Sequence, residues 1–251
     1  MPMIPIDIII TTRTTRDRPE RLGYLKQCLS RLAEYTRAPC KITVIDDASD
    51  PGLGVQKYLN DMKRYGVIHE YIAREERWGQ RANLNLGFEL SQSDPIIFTD
   101  DDVLCPNVNP SWLRQILHAF KNYPEFGLIA LNSPGKNYIR TDQGGARGAI
   151  RKVGPITESR ALPGHMVGTR RVVLEGWSYK THKGQDIRQG GYFPDSQRCG
   201  RAREVGLRVG YLTDTFCFHC GDIPVRADKP VETILTPQDM ETMRPSEEWA
   251  W

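Results

Sequence analysis

Short runs of apolar, mostly β-branched residues alternate with helix-like segments over the first hundred residues of this chain. Most of the runs are apolar throughout, which is typical of strands that are buried on both faces of a sheet. Such an alternation, with short links, predicts an α/β domain with a mostly parallel central sheet flanked by helices. The predicted strands are Ile6–Thr12, Lys41–Asp47, Val67–Ala73 and Pro95–Thr99, and helices are predicted near Val55–Tyr65 and Gln80–Leu90.

The first predicted helix begins near Asp17. Asp17 and Glu20 have the spacing of a capping box, and Pro19 falls in the first turn, where its missing N–H group costs nothing. Apolar residues then recur at helical spacing, which indicates one buried face. These residues are Leu22, Leu25, Cys28, Leu29 and Leu32.

The later part of the chain divides into three stretches. Residues 133–160 are rich in glycine and basic residues without a sustained period, which predicts hairpins and a mobile loop. Regular patterns then return, with a helix near Ser196–Val205 and a strand over Leu207–Leu212. From residue 222 the chain is proline-rich and charged. We therefore expect a catalytic domain at residues 1–221 and a C-terminal tail at residues 222–251.

Composition excludes several classes of protein. The formal net charge is only +3, from 34 basic and 31 acidic side chains, so there is no specific signal for nucleic-acid binding. We find no secretory signal and no apolar run of the ~20 residues needed for a transmembrane segment. Six scattered cysteines without a CxxC pair favour reduced thiols and a cytoplasmic location. Cys217, His219 and Cys220 lack a second ligand pair, so a structural zinc site is not expected.

Two acidic clusters follow predicted strands directly. Asp46 and Asp47 end the second strand, and Asp100, Asp101 and Asp102 come after the fourth. In open α/β sheets, ligands bind beyond the carboxyl ends of the strands. A strand-terminal DxD sequence suits Mg²⁺ or Mn²⁺, which prefer oxygen ligands and are often shared with substrate phosphates. The alternative interpretation is a solvated acidic turn.

Other segments could take part in such a site. Asp46 could accept hydrogen bonds from a ribose or a base, whereas Asp47, Ser49 and Asp50 are equally good helix N-caps. The glycine-led helix start in RWGQRANLNLGF offers free N–H groups to an anion, or is simply a solvated helix face. Its polar side chains are Arg77, Gln80, Arg81 and Asn83.

Asp195 and His219 are the remaining candidates. Asp195 precedes a helical segment, where it could accept a proton from a substrate hydroxyl or could cap the helix. His219 could bind a divalent metal, although a histidine between aromatic residues is more often part of a core.

The order of these segments resembles that of family 2-like glycosyltransferases of the GT-A fold. The resemblance lies in TTR, VIDDASD, WGQRANLNLGFELS, IIFTDDDV, PDSQRCGRAREVG and the late His219, and it covers roughly Ile6–Cys220. It implies a hexosyltransferase-type enzyme that moves a sugar from a nucleotide-diphosphate sugar, with UDP as the expected nucleotide, to an acceptor hydroxyl. The acceptor could be a glycan, a lipid, a protein or a modified nucleobase.

The resemblance also implies residue roles. A first group would bind the nucleotide and the rest of the donor: Thr11, Arg13, Asp46, Arg81, Asn83, Asp100 and Asp101, the last as the middle residue of the DxD. Asp100, Asp102 and His219 would hold Mn²⁺ or Mg²⁺ against the diphosphate. Asp195 would be the general base of an inverting displacement. The loop at residues 133–160 would lie on the acceptor side or act as a lid.

Two segments depart from the family pattern. The family usually has Glu-Asp where this chain has Pro194 and Asp195, which leaves Asp186 as an alternative base. The first strand leads into TTR rather than Pro-Thr-Tyr-Asn, so the register of nucleotide contacts there is open.

Two other enzyme classes are alternatives. A nucleotidyltransferase that makes a nucleotide sugar would share the fold and the metal, but the first loop lacks the expected glycines. A phosphatase of the haloacid dehalogenase type would use Asp100 as nucleophile and Asp102 as acid. That motif normally opens its domain, and the later acidic pair that it needs is found only at Glu247 and Glu248.

Overall fold

The computed structural model describes residues 5–133, 149–162, 164–178 and 194–220. The strands are β1 (Ile6–Thr12), β2 (Cys40–Asp46), β3 (Glu70–Ala73), β4 (Ile96–Asp100), β5 (Val103–Leu104), β6 (Phe126–Asn132), β7 (Ala149–Val153), β8 (Ile156–Ser159), β9 (Val167–Thr169), β10 (Arg208–Phe216) and β11 (Phe218–His219). The helices are α1 (Arg21–Tyr35), α2 (Val55–Arg64), α3 (Gln80–Leu90), α4 (Trp112–Asn122), α5 (Arg171–Leu174) and α6 (Pro194–Glu204).

Nine of these strands form one sheet in the order β3-β2-β1-β4-β9-β6-β10-β8-β7. The pairs β3–β2, β2–β1, β1–β4 and β6–β10 are parallel, which confirms the predicted mostly parallel sheet. Strand β9 is inserted antiparallel between β4 and β6. The carboxyl ends of β1, β2, β4 and β6 therefore lie at one edge of the sheet.

Helices cover both faces of the sheet because consecutive strand residues point to opposite sides. Ile8 and Ile10 of β1 pack with the buried residues of α1, α2 and α4. Ile9 lies on the other face, in the cluster formed with α3, α5 and α6. Both faces of the central strands are therefore buried, and this explains their continuous apolar sequence.

Strand β9 can lie under α4 only because its middle residue has no side chain. A Cβ atom on Gly168 would lie 2.7 Å from the ring of Phe120 and 3.0 Å from Ile116. Gly168 therefore allows the helix to approach the inserted strand closely.

Two predicted boundaries were wrong, and backbone hydrogen bonds explain both. Helix α1 begins at Arg21 instead of near Asp17, because the amide of Arg18 donates to the carbonyl of Thr15 at 2.9 Å and closes a turn there. The third strand begins at Glu70 instead of Val67. The amides of Val67 and Ile68 donate to the carbonyl of Met62 at the end of α2, so they are not available for pairing with β2.

The glycine-rich, basic stretch contains a hairpin in its described part. Strands β7 and β8 pair antiparallel, and β8 also pairs with β10. Residues 134–148, the tail at 222–251 and Asp186 lie outside the described residues, and the domain boundary at residue 221 stays a prediction. None of the helices described here is long and apolar enough to cross a bilayer.

Candidate active site at the carboxyl edge of the sheet

Strand pairing brings the two acidic clusters together. At the end of β1, Thr12 is paired with Asp46 on one side, and Thr11 is paired with Asp100 on the other. Neighbouring strands are about 4.8 Å apart, so the backbones of Asp46 and Asp100 are separated by about 10 Å across β1. This distance suits a single cleft at this edge.

Asp101 takes part in a buried ion pair. Its side chain is fully buried and accepts hydrogen bonds from the Arg21 guanidinium and, at 2.5 Å, from the Thr12 hydroxyl. Burial raises the pKa of Asp101 to about 6, although the charge of Arg21 opposes the rise. Arg21 also donates to Oδ2 of Asp102 at 3.2 Å. Arg21 therefore fixes both carboxylates and the turn that carries them.

Asp102 faces His219 because a second, two-stranded sheet joins their segments. Strand β11 pairs antiparallel with β5, with His219 opposite Val103. Nε2 of His219 lies 3.3 Å from Oδ1 of Asp102. Burial alone would raise the pKa of Asp102, but the nearby His219 and Arg21 side chains outweigh burial and lower it to about 2. Asp102 is therefore ionised at neutral pH.

A second histidine supports the first. The rings of His165 and His219 are stacked with centroids 4.1 Å apart and an angle of 23° between their planes. His165 is buried, and it immediately precedes the segment that enters β9. The stack limits the orientations that His219 can adopt.

Asp100 lies among like charges. Its Oδ1 accepts a hydrogen bond of 2.7 Å from the side-chain amide of Gln80, the first residue of α3. Burial and the neighbouring charges of Asp102, Asp195 and Asp101 raise the pKa of Asp100 to about 8. This carboxyl group binds a proton in the absence of a cation, so the site favours a positive charge beside it.

Asp195 comes to the site from the first turn of α6. Its Oδ1 lies 3.6 Å from Nη2 of Arg198, one turn further along the helix. A Cβ atom on Gly164 would lie 2.6 Å from the same oxygen, so the carboxylate packs directly against this glycine. Its charge is close enough to Asp100 to affect the pKa of that group.

Asp46 and Asp47 organise the loops around the site. Oδ1 of Asp46 accepts hydrogen bonds from the amide and the hydroxyl of Ser49, at 3.0 and 2.6 Å. Oδ1 of Asp47 accepts from the backbone amides of Trp78 and Gly79, at 2.7 and 3.1 Å. Asp47 therefore holds the loop before α3 and does not cap α2. Ser49 also accepts from the amide of Thr14, which ties the loops after β1 and β2 together.

The other predicted donor residues lie around the same edge. Thr11 is the buried penultimate residue of β1, and Arg13 is partly buried just beyond the strand. Nε of Arg13 is buried and has no hydrogen-bond partner among the described residues. Arg81 is partly buried at the start of α3, whereas Asn83 is fully buried and accepts a long 3.4 Å bond from Nε of Arg74. The roles of these residues in binding stay predictions.

The acidic residues do not form a closed metal cage. Within the described ranges, no three histidine, cysteine, aspartate or glutamate side chains converge closely enough to bind an ion unaided. A site for Mg²⁺ or Mn²⁺ that is completed by substrate phosphates does not need such a cage.

Sequence reasoning missed three residues that shape the site: Arg21, His165 and Arg198. A sequence signal existed for Arg198, which lies three residues after Asp195 and therefore on the same face of a predicted helix. Arg21 and His165 carried no such signal, since their partners lie 80 and 54 residues away along the chain, as the numbering of Asp101 and His219 shows.

Comparison with known proteins agrees with this geometry. A model of glycosyl transferase family 2 matches residues 8–176, more than half of the chain. The chain belongs to glycosyl transferase family 2. This membership favours a glycosyltransferase over the nucleotidyltransferase and the phosphatase that the sequence left open. A search of curated proteins finds no significant match.

Solved structures show that this family 2 chain has the GT-A fold. Residues 1–349 of S. aureus TarS align with a TM-score of 0.62 and 14% identity, covering 86% of this chain and 60% of that one. The mannosyltransferase PcManGT from Pyrobaculum calidifontis, solved with GDP-Man and Mn²⁺, aligns with a TM-score of 0.61 and 17% identity. The alignment covers 88% of this chain and 57% of that one. GalNAc-T7, solved with UDP, GalNAc and Mn²⁺, aligns with a TM-score of 0.61 and 13% identity. The alignment covers 87% of this chain and 44% of that one. The chain thus spans less than two thirds of each relative.

Proposed function

We propose that this protein is a metal-dependent glycosyltransferase that moves a sugar from a nucleotide-diphosphate sugar to an acceptor hydroxyl with inversion. The observation that carries the proposal is that Asp46 and Asp100 end their strands on either side of β1 at one edge of the sheet, with Asp102 next in the chain and the charge of Asp195 acting on Asp100. Carboxylates gathered in this way need a cation, and the ligand that the family brings to such an edge is a diphosphate.

The donor side has groups for a nucleotide diphosphate. The unpartnered Nε of Arg13 is a buried donor beside the end of β1, where a phosphate would satisfy it. Oδ2 of Asp46 has only a long 3.4 Å contact with Tyr71, so it can accept from a ribose or a base. TarS has been solved with UDP-GlcNAc and PcManGT with GDP-Man. UDP is the nucleotide that we propose for this chain, with Thr11, Arg81 and Asn83 completing the donor side.

The residues at the end of β4 fit a divalent ion. Oδ1 of Asp102 is buried without a well-aligned hydrogen bond, although Nε2 of His219 is only 3.3 Å away. Adjacent ligands of an octahedral ion, at about 2.1 Å from the metal, are about 3 Å apart, so these two atoms are spaced as ligands of one ion. Asp100, Asp102 and His219 would hold it. A mixed oxygen and nitrogen set favours Mn²⁺ over Mg²⁺. When bound, the ion would neutralise charge on the diphosphate.

Asp195 is the residue that we assign as general base. The acceptor oxygen forms a bond to the anomeric carbon, and the bond from that carbon to the diphosphate oxygen breaks. The hydroxyl proton passes to a carboxylate oxygen of Asp195, and the nucleoside diphosphate leaves. Proton removal and positioning are the two contributions that the protein itself supplies. Asp101, which is buried against Arg21, anchors the turn from within.

We also propose an acceptor-side segment and a cellular location. The hairpin of β7 and β8 follows residues 134–148 and lies at the edge of the sheet opposite β3, next to β10. We propose residues 133–160 as the acceptor-side segment. None of the six cysteines, all of which lie within the described ranges, forms a disulfide, and this supports a reducing, cytoplasmic setting.

The test of this function pairs one substitution with a control on the same helix. Asp195→Asn removes the base but keeps the shape of the side chain. We expect turnover to fall by about 100-fold or more while donor affinity stays within a few-fold, since general-base catalysis contributes about 10² to 10⁴. Glu204→Gln is the control, because its carboxylate is exposed at the other end of α6.

The donor is identified by thermal shift with nucleoside diphosphates and their sugars, with and without Mn²⁺. Binding to the folded state raises the melting temperature, so the true donor gives the largest metal-dependent shift. Absence of a shift with every nucleotide contradicts the proposal. Release of pyrophosphate from a nucleoside triphosphate and a sugar phosphate would instead establish a nucleotidyltransferase.

A further inference from the structure

Helix α6 carries a buried cation one turn after Asp195. The side chain of Arg198 is only 2% exposed, and its guanidinium lies over the ring of Phe98 with 5.3 Å to the centroid. Nη2 is 3.6 Å from Oδ1 of Asp195. Nε and Nη1 are buried and have no hydrogen-bond partner among the described residues. An arginine is therefore held in a position where its own hydrogen bonds are largely unmet.

This arrangement is unfavourable for folding alone. The same face of α6 contributes Cys199 and Ala202 to an apolar cluster, and Arg198 replaces what could have been another apolar side chain. Burying a guanidinium with unmet donors costs several kcal/mol, and a hydrophobic residue of similar volume is often as stable or more stable. Stability therefore does not explain an arginine at position 198, whereas a role toward its anionic neighbour does.

The anionic neighbour lies beside a second carboxylate. Phe98 and Asp100 are two residues apart on β4, so they lie on the same face of the strand, and Arg198 covers Phe98. The charge of Asp195 acts on Asp100. When both are ionised, neighbouring carboxylates repel each other, and a buried cation beside one of them offsets this repulsion. Asp195 also packs against Gly164, where a Cβ atom would lie 2.6 Å from Oδ1.

We propose that Arg198 is a positioning residue that orients the carboxylate of Asp195 in the cleft, together with Gly164, which packs against the same carboxylate. This inference rests on the proposed role of Asp195 as general base. Arg198 itself does not contact the donor or the acceptor. Its contribution belongs to the step in which the acceptor loses its proton, and donor binding does not depend on it.

The first experiment separates turnover from binding. Arg198→Met removes the charge and keeps most of the volume. Displacing a reacting group by about 1 Å can cost about 100-fold, so we expect kcat to fall by about 10- to 100-fold. The KM for the donor should stay within about twofold. Arg198→Lys keeps the charge and should restore part of kcat. Lys57→Met is the control and should leave kcat unchanged, because Lys57 is exposed on α2 and forms its ion pair with Asp61 on the same helix.

The second experiment does not depend on activity. Urea unfolding of the wild type, Arg198→Met, Asp195→Asn and the double variant forms a thermodynamic cycle. We expect the two substitutions to be non-additive, with the double variant less destabilised than the sum of the singles. Additive effects would overturn the proposed contact. If Arg198→Met does not fold, Arg198→Lys still tests the proposal, because a folded lysine variant with no activity and no coupling would contradict it.

The outcomes distinguish this inference from the proposed function. If Asp195→Asn keeps wild-type turnover, Asp195 is not the base and the proposed mechanism fails, whatever the cycle shows. If Asp195→Asn abolishes turnover but Arg198→Met has a normal kcat, the function stands and the role of Arg198 is refuted.

Discussion

Nε2 of His219 lies 3.3 Å from Oδ1 of Asp102, although 117 residues separate them along the chain. Pairing of β11 with β5 and the hydrogen bond of 2.8 Å from the amide of Cys220 to the carbonyl of Asp102 fix this contact. The last described strand thus returns to the turn that follows β4. Two segments that are far apart along the chain therefore share one proposed metal position.

We expect Asp102→Asn to abolish Mn²⁺-dependent nucleotide binding. The substitution removes the charge that is already present at neutral pH, while the shape of the side chain is kept. His219→Gln should weaken Mn²⁺ binding by about 10-fold or more, since it removes one ligand. Titration of Mn²⁺ with UDP, followed by electron paramagnetic resonance or calorimetry, measures both. His118→Gln on α4 is the control, since its ring contacts Asn122 on the protein surface. Unchanged Mn²⁺ affinity in Asp102→Asn would contradict the site.

Arg21→Met should destabilise the protein by about 3–5 kcal/mol, because it leaves the fully buried Asp101 without its counter-ion. The double variant Arg21→Met, Asp101→Asn should recover much of this loss, since the buried side chain at position 101 then carries no charge. Urea unfolding at neutral pH measures the effect. Arg18→Met is the control, as its ion pair with Glu20 is exposed and contributes about 1 kcal/mol or less. Equal losses of stability in Arg21→Met and Arg18→Met would refute the buried ion pair.

The metal-free protein should lose stability as the pH rises from about 4 to about 8. Asp100 has a pKa of about 8 in the folded protein against an ordinary value of 3.8, so in this range only the folded state holds its proton. Asp101 contributes in the same direction up to about pH 6. Urea unfolding in the presence of a chelator measures the slope. Asp100→Asn should flatten the profile, and parallel profiles for variant and wild type would show that Asp100 titrates normally.

Gly164→Ala should lower kcat by about 10-fold or more with little effect on stability. The added methyl group would lie 2.6 Å from Oδ1 of Asp195, and the short carboxylate side chain can turn away without moving the backbone. Displacement of the proposed base then reduces turnover. Steady-state kinetics and thermal unfolding measure the two effects. Gly23→Ala is the control, since a methyl group there meets nothing within 4 Å. A normal kcat in Gly164→Ala would show that Asp195 does not depend on this contact.

Sequence patterns predicted the parallel half of the fold well, because buried strands of such a sheet are continuous apolar runs. Ile6–Thr12 has the same bounds in the structure, and Asp46 and Asp100 end their strands at the expected edge. The insertion of β9 between β4 and β6 was not predictable. Its three residues have no distinctive pattern, and its position depends on pairing with strands about 40 and 70 residues earlier.

The site was predictable in its acidic residues and not in their partners. Strand ends are local features, so the aspartates could be found from the sequence. The position of Asp101 in a buried pair depends on Arg21, and the position of His219 depends on a second sheet and on His165. Contacts of this kind join segments that are distant along the chain, and the periodicity of apolar residues, which indicates local structure, does not predict them.

The antiparallel strand β9 joins the two halves of the sheet, because β4 and β6 are hydrogen-bonded to it and not to each other. Just before this strand, Gly164 contacts Asp195 and the ring of His165 stacks on that of His219. This short antiparallel strand therefore sets the spacing between the carboxylate that we propose as the general base and the imidazole that we propose as a metal ligand. A sliding movement of one half of the sheet against the other would displace both side chains at once. The alignment of Asp195 with His219 therefore depends on how β9 joins the two halves.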